Sequence, residues 1–167
     1  MKILVIGLGY VGTANAVLLS QHNDVICYDL NNDRINLIND KKSPIEDKEA
    51  TEYLSQKNLN LKGVYELPSH NDFDFVIIAT PTNYDPDTNF FDTSSVESCI
   101  NNLNSQNSKA TIIIRSTLPV GFVKRVKKNY PNQEIIFVPE FLREGKALND
   151  SLYPSRIIVG SHSDKGK

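Results

Sequence analysis

Lys2 to Asp29 read KILVIGLGYVGTANAVLLSQHNDVICYD: an apolar run, Gly7-x-Gly9-x-x-Gly12, a helical stretch, and a second apolar run ending on an aspartate. No other stretch restricts the fold so tightly. Ile3, Leu4, Val5 and Ile6 form the unbroken apolar segment expected of a strand covered on both faces of a parallel sheet. Gly7 can take the dihedral angles of a tight turn, Gly9 lets the backbone approach a pyrophosphate, and Gly12 lets the new helix lie close on the strand. The amides at that helix start have no partner inside the helix and suit phosphate oxygens. Glycines at this spacing occur in many loops, so the strand before them and the helix after them carry the reading of a dinucleotide site.

Asp29 follows Gly12 by 17 residues, at the end of the second apolar run. A carboxylate there accepts hydrogen bonds from the adenosine ribose hydroxyls and repels a 2′-phosphate, which favours NAD over NADP. Arg34, just past it, can either pair with a 2′-phosphate or stack on adenine; with Asp29 present, stacking is expected.

Strand-like and helix-like segments alternate along the rest of the chain, which predicts an α/β, doubly wound, mostly parallel sheet of the Rossmann type. Strands are expected near 2–6, 25–29, 59–62, 75–79, 111–115, 134–138 and 156–160, the third short enough for an edge. Helices are expected near 10–22, 31–40, 47–56, 93–106, 119–129 and 145–151. Ser94 and Glu97 have capping-box spacing, and Pro119 fits a first helical turn. A length of 167 residues suits a single domain, expected over 1–160, with the polar tail 161–167 read as a linker.

The formal charge of −2 is spread without a basic stripe, so a nucleic-acid partner is not expected. The run Lys124-Arg125-Val126-Lys127-Lys128 reads as a solvated helix face. No apolar run reaches the length of a membrane span, and Met1 leads straight into a strand, so the protein is expected to be cytoplasmic, without a membrane partner. Cys27 and Cys99 read as packing residues. His22, His70 and His162 show no metal-ligand spacing to them, and no metal is expected.

Three polar clusters fall at strand ends, where open parallel sheets bind ligands. After 75–79 come Thr80-Pro81-Thr82-Asn83, where Thr82 can offer a hydroxyl to the second ribose or the phosphates. After 111–115 come Ser116-Thr117, where Thr117 can cap a helix or hold a water or a nicotinamide. After 134–138 come Glu140-Phe141-Leu142-Arg143-Glu144. A helical turn there would set Glu140 and Glu144 on one side with Arg143 as counter-charge, a pairing suited to proton transfer or water activation; a surface salt-bridge cluster is the plainer alternative.

GLGYVG, ATPTNYDPDTNFFDTSSVE (79–97), RSTLPVGF (115–122), PEFLREGKAL (139–148) and YPSRIIVG (153–160) together resemble the N-terminal domain of the UDP-glucose 6-dehydrogenase family, within the UDP-glucose/GDP-mannose dehydrogenase superfamily. The TPTNY and NFFDT segments look more like the short bacterial UDP-glucose enzymes than the UDP-N-acetylmannosamine or GDP-mannose ones. The resemblance implies oxidation of the sugar C6 alcohol to a carboxylate with two NAD⁺ in succession. The aldehyde is captured as a thiohemiacetal by a cysteine of a C-terminal domain, and the resulting thioester is hydrolysed.

By motif position, the resemblance assigns NAD contacts to Gly7, Gly9, Tyr10, Val11, Gly12, Asp29, Arg34, Thr82, Thr117 and Glu144. It gives Thr117 and Glu140 the catalytic water, sets Glu144 beside the nicotinamide and the sugar, and makes Glu140, Phe141, Leu142, Arg143 and Glu144 the UDP-glucose contacts. The nucleophilic cysteine, catalytic lysine and asparagine and the uridine-binding domain have no counterpart in these residues. The chain alone is therefore expected to bind NAD without turnover and to be monomeric, with the full-length protein a homodimer. A β-hydroxyacid or 6-phosphogluconate dehydrogenase relative, disfavoured by PEFLRE, and a stand-alone NAD-sensing module are the competing readings.

Overall fold

The computed structural model describes residues 1–69, 73–161 and 163. In chain order the elements are β1 (Lys2–Ile6), α1 (Tyr10–Ser20), β2 (Asp24–Tyr28), α2 (Asn32–Asn39), α3 (Lys48–Gln56), β3 (Leu61–Val64), β4 (Phe75–Ile78), β5 (Asn83–Asp85), β6 (Phe90–Asp92), α4 (Ser94–Ser105), β7 (Thr111–Ile114), α5 (Phe122–Asn129), β8 (Ile135–Phe137) and α6 (Ala147–Leu152). Six strands form one parallel sheet in the order β3-β2-β1-β4-β7-β8, with β3 at an edge, as its shortness suggested. The strand order reverses between β1 and β4. A crevice opens there at the carboxyl ends, because the crossovers on either side leave in opposite directions.

Side-chain alternation along the strands builds two cores. Leu4 and Ile6 of β1 join Val76, Ile78, Ile112 and Ile114 beneath Val96, Ile100 and Leu103 of α4 and Phe122 and Val126 of α5. On the opposite face Ile3, Val5 and Ile77 meet Ala16 and Val17 of α1, Ile35 and Ile38 of α2, Ala50 and Leu54 of α3, and Leu148 of α6. The central strands are thus covered on both sides, which is why they read as continuous apolar runs rather than as alternation.

Four local expectations are corrected. Residues 156–160 make no strand: Gly160 forms a single antiparallel bridge to Phe137, and Ile157, Ile158 and Val159 stay exposed. The last long helix starts at Phe122 rather than near 119, because Gly121, at φ 88°, breaks the chain direction and takes the cap position. Pro119 sits in the preceding turn, its carbonyl accepting from the Phe122 amide. The Ser94–Glu97 capping box does not form. Thr93 is the cap residue, and its hydroxyl donates to the Glu97 carboxylate at 2.8 Å instead of accepting from a helix amide.

The hairpin β5–β6 was not foreseen. It turns at Asp85-Pro86-Asp87, where the Asp85 carboxylate accepts from the amides of Asp87 and Thr88 at 2.9 and 3.3 Å. His70 and His162 lie outside the described residues, as does most of the expected linker; His22 occupies the turn after α1.

Candidate functional site

The glycine loop shows why those three positions carry no side chain. Gly7 has φ 96°, and a Cβ there would lie 2.5 Å from the Ala79 carbonyl oxygen of the neighbouring strand end. A Cβ on Gly12 would lie 1.7 Å from the Gly7 carbonyl oxygen, so only glycine lets α1 start this close to β1. Gly9 differs: no atom stands within 4 Å of the place its Cβ would take. The space above it is open, and the α1 N-terminus it introduces has no side-chain cap. The amides of Tyr10, Val11 and Gly12 are left for an outside acceptor. This open cradle fits a pyrophosphate.

Asp29, at the end of β2, is only 9% exposed. Its Oδ2 accepts from the Leu8 amide at 2.6 Å and its Oδ1 from the Asn31 amide at 2.8 Å. One carboxylate therefore ties the glycine loop to the β2–α2 turn. Arg34, in the first turn of α2, brings Nη1 to 3.4 Å from the same Oδ2.

These groups border a cleft of about 500 Å³ at the reversal of strand order. Gly7, Asp29 and Arg34 line it together with Tyr28, Leu30, Asn31, Leu67, Thr80 and Pro81. Its far wall is α4, which presents Ser95, Ser98, Cys99 and Asn102. The sequence reading missed this wall, and placed Cys99 in packing alone. The signal was there: 95, 98, 99 and 102 recur at i, i+3, i+4 and i+7, one helix stripe, beside the buried stripe of Val96, Ile100 and Leu103. Burial pushes the Cys99 thiol up to about 11, and in β2 burial, with the Asp29 charge next, pushes Cys27 up to about 12.

Thr82 does not line the cleft; its neighbours Thr80 and Pro81 do. They are braced by the Ser95 hydroxyl, 2.7 Å from the Pro81 carbonyl oxygen, and by the Ser116 hydroxyl, which donates to the Thr80 carbonyl at 2.7 Å. Thr117, Glu140 and Glu144 also stand outside the cleft, further along the carboxyl edge, beyond the ends of β7 and β8. Thr117 and Glu144 are exposed; Glu140 is half-buried and bonded to Arg115, one strand over. Thr117 caps no helix, since Gly121 does.

The expected helical turn over Glu140–Glu144 is absent. The segment is a loop, and Arg143 is no counter-charge to the glutamates: it forks onto Asp150 at 2.7 and 3.0 Å. That hydrogen-bonded pairing holds the Asp150 carboxyl down at about 2. Phe141 is half exposed beneath the Arg156 guanidinium, 4.6 Å from its ring centroid, which links this loop to the segment that was expected to be a strand.

The model of the NAD binding domain of the UDP-glucose/GDP-mannose dehydrogenase family matches residues 1–167. The chain belongs to this family. It is 51% identical over 166 residues to the UDP-glucose 6-dehydrogenase of Streptococcus pneumoniae, a match covering 98% of this chain and 42% of that protein. With the UDP-glucose 6-dehydrogenase of Campylobacter jejuni it shares 46% identity over 170 residues, all of this chain and 43% of the relative. A GDP-mannose dehydrogenase structure from Pseudomonas aeruginosa superimposes with a TM-score of 0.87 at 26% identity, covering 99% of this chain and 42% of that one. The chain is thus an NAD-binding Rossmann domain of a dehydrogenase family, and it spans less than half the length of these relatives. Among the described residues no helix is long and apolar enough to cross a membrane.

Proposed function

We propose that the chain is the cofactor half of an enzyme that oxidises UDP-glucose to UDP-glucuronate, with residues 1–160 as the NAD domain and 161–167 leading to the sugar-binding part. The observation that carries the reading is the arrangement along one sheet edge: the glycine cradle and Asp29 at the reversal of strand order, with Thr117, Glu140 and Glu144 beyond the next strand ends. The 51% identity to a UDP-glucose enzyme favours that sugar over GDP-mannose or UDP-N-acetylmannosamine.

NAD⁺, when bound, accepts a hydride at its nicotinamide, and two such transfers with one water take the C6 alcohol to the carboxylate. The protein's own residues bind and orient. Gly7 to Gly12, with the amides of Tyr10 and Val11, hold the pyrophosphate, Asp29 the adenosine ribose, and Arg34 lies beside the adenine. Thr82, Thr117 and Glu144 serve the nicotinamide end. Glu140, kept half-buried by Arg115, holds the attacking water with Thr117, and the loop from Glu140 through Phe141, Leu142 and Arg143 to Glu144 meets the sugar. The longer protein acts as a homodimer, the chain alone as a monomer.

Steady-state assays of the longer protein with UDP-glucose, UDP-N-acetylmannosamine and GDP-mannose test the substrate. UDP-glucose is expected to give the highest kcat/KM, and a higher value for either of the others would refute the assignment. The 167-residue chain alone is expected to bind NAD in calorimetry and to yield no NADH from UDP-glucose.

A further inference from the structure

Arg115, two residues before Thr117, is charged and yet mostly buried, with 15% of its side chain exposed. It follows directly on β7, its amide donating to the Ile78 carbonyl at 2.8 Å as if the strand ran on. The side chain crosses to the next strand end, where Nη2 donates to Glu140 Oε2, while the Ser116 hydroxyl turns the other way, to the Thr80 carbonyl. Oε1 of Glu140 accepts from the Phe141 amide at 2.9 Å. Each carboxylate oxygen thus has one fixed donor and keeps a lone pair for a water. Among the described residues no other cation pairs with Glu140: Arg143 forks onto Asp150, and Arg156 lies over the Phe141 ring. The pair is a poor device for stability alone. Arg115 uses one end of its fork, and its Nε is buried with no hydrogen-bond partner, which costs stability. An apolar pair of similar volume at such a site is commonly neutral or stabilising. What the charged pair provides is a carboxylate with a fixed direction.

We propose, on the reading of Glu140 as the holder of the attacking water, that Arg115 is a positioning residue: it aims the Glu140 carboxylate, acts only through it, and serves the entry of the water rather than the first hydride transfer. Taking the C6 alcohol to the carboxylate removes two hydrides, received by two NAD⁺, and adds the oxygen of one water, with the protons released to solvent. The first hydride leaves before any water is needed. A carboxylate that has lost its guanidinium is a half-buried charge without a partner and turns toward solvent, so the water loses its direction while the earlier step goes on as before.

Stopped-flow and steady-state NADH formation by the longer protein with UDP-glucose tests it. In Arg115→Met the first NADH per site is expected at the unaltered rate, within about twofold, while kcat falls by about ten- to a hundredfold, the cost of misplacing a reacting group. KM for UDP-glucose is expected to fall with kcat, as bound sugar accumulates ahead of the slowed step. Should Arg115→Met leave Glu140 stranded and fail to fold, the double variant Arg115→Met/Glu140→Gln carries no unpaired charge and is compared with Glu140→Gln alone. The two are expected to agree in kcat within about twofold, because a residue that acts only through Glu140 adds nothing once Glu140 is altered. A further loss in the double variant, or a first NADH slowed as much as turnover in Arg115→Met, overturns the proposal while leaving Glu140 its role. An unaltered kcat in Glu140→Gln overturns the reading of Glu140, and the proposal with it.

Discussion

Gly9 and Gly12 lie in the same loop and meet opposite surroundings, so the same substitution separates folding from binding. Gly12→Ala drives a Cβ into the Gly7 carbonyl, a backbone atom that has nowhere to go, and is expected to cost about 3 kcal/mol or more in urea unfolding. Gly9→Ala meets no atom of the protein and leaves stability within about 0.5 kcal/mol, yet its methyl group stands where the pyrophosphate would lie, so NAD affinity is expected to fall at least about tenfold. Equal losses of stability in the two variants would contradict this division. Their surroundings were legible in the sequence because the fingerprint is local. Asp29 was legible only in part: its carboxylate also fastens Leu8, 21 residues away, a tertiary contact that no spacing encodes. The thiols make a further residue-scale prediction. Cys27 sits near 12 against an ordinary value of 9.0, so between those limits the unfolded chain has released a proton that the native state keeps. Stability is therefore expected to fall as pH rises from about 9, by up to about 1.4 kcal/mol per pH unit from this group. Denaturant midpoints at pH 8 and 10.5 should show a shallower decline in Cys27→Ala, and an identical decline would remove Cys27 as its source.

Among the elements, helices and strands with a clear period were readable and their edges were not. The strands β1, β4, β7 and β8 announce themselves through buried apolar runs, whereas the hairpin β5–β6 is held by a turn and one tilted aromatic pair, Tyr84 with Phe91 at 5.5 Å, and buries little. Its signal was the Asp85-Pro86-Asp87 turn between aromatic residues, which the period-based reading passed over. Thr93 displaced Ser94 as the α4 cap because Glu97 is engaged elsewhere, by the Thr93 hydroxyl and by Arg125 at 2.9 Å, partners that lie outside any four-residue motif. The hairpin turn has a pH signature. Hydrogen bonds from Thr88 and Asp87 hold the Asp85 carboxyl below 3.8, so its contribution is present above that value and lost as the pH falls through the lowered one. Asp85→Ala is expected to abolish amide protection across residues 83–92 while leaving the unfolding midpoint of the domain unchanged. A drop in the global midpoint would show that the hairpin belongs to the cooperative core.

At the scale of the whole molecule, one buried side chain joins two elements far apart in the described chain. Asp47, 4% exposed, caps α3 through the Ala50 amide at 2.9 Å and accepts from the Leu148 amide, at the start of α6, at 3.0 Å. Asp47 and Leu148 are 101 residues apart, a contact that no local spacing encodes; in the sequence Asp47 is only the first residue of the helix expected near 47–56. The clamp fixes where α6 begins, and with it the Glu140–Glu144 loop that runs into α6 from β8. By contrast, the apolar run of 156–160 predicts a strand, yet among the described residues this segment makes a single isolated bridge, Gly160 to Phe137, and Ile157 remains 71% exposed. Apolar sequence marks a strand only where a neighbouring strand supplies the ladder. Asp47→Ala strands two buried helix-start amides at once and is expected to lower stability by about 2–4 kcal/mol. The cleft borders α4, on the opposite face of the sheet from α3 and α6, so NAD affinity of the folded variant should stay within about twofold. Hydrogen exchange should instead report faster opening of residues 141–148 than of α1 or β4. If NAD binding fell in step with stability, or if exchange rose evenly over the domain, Asp47 would be a general core contact and not the clamp that positions the Glu140–Glu144 loop.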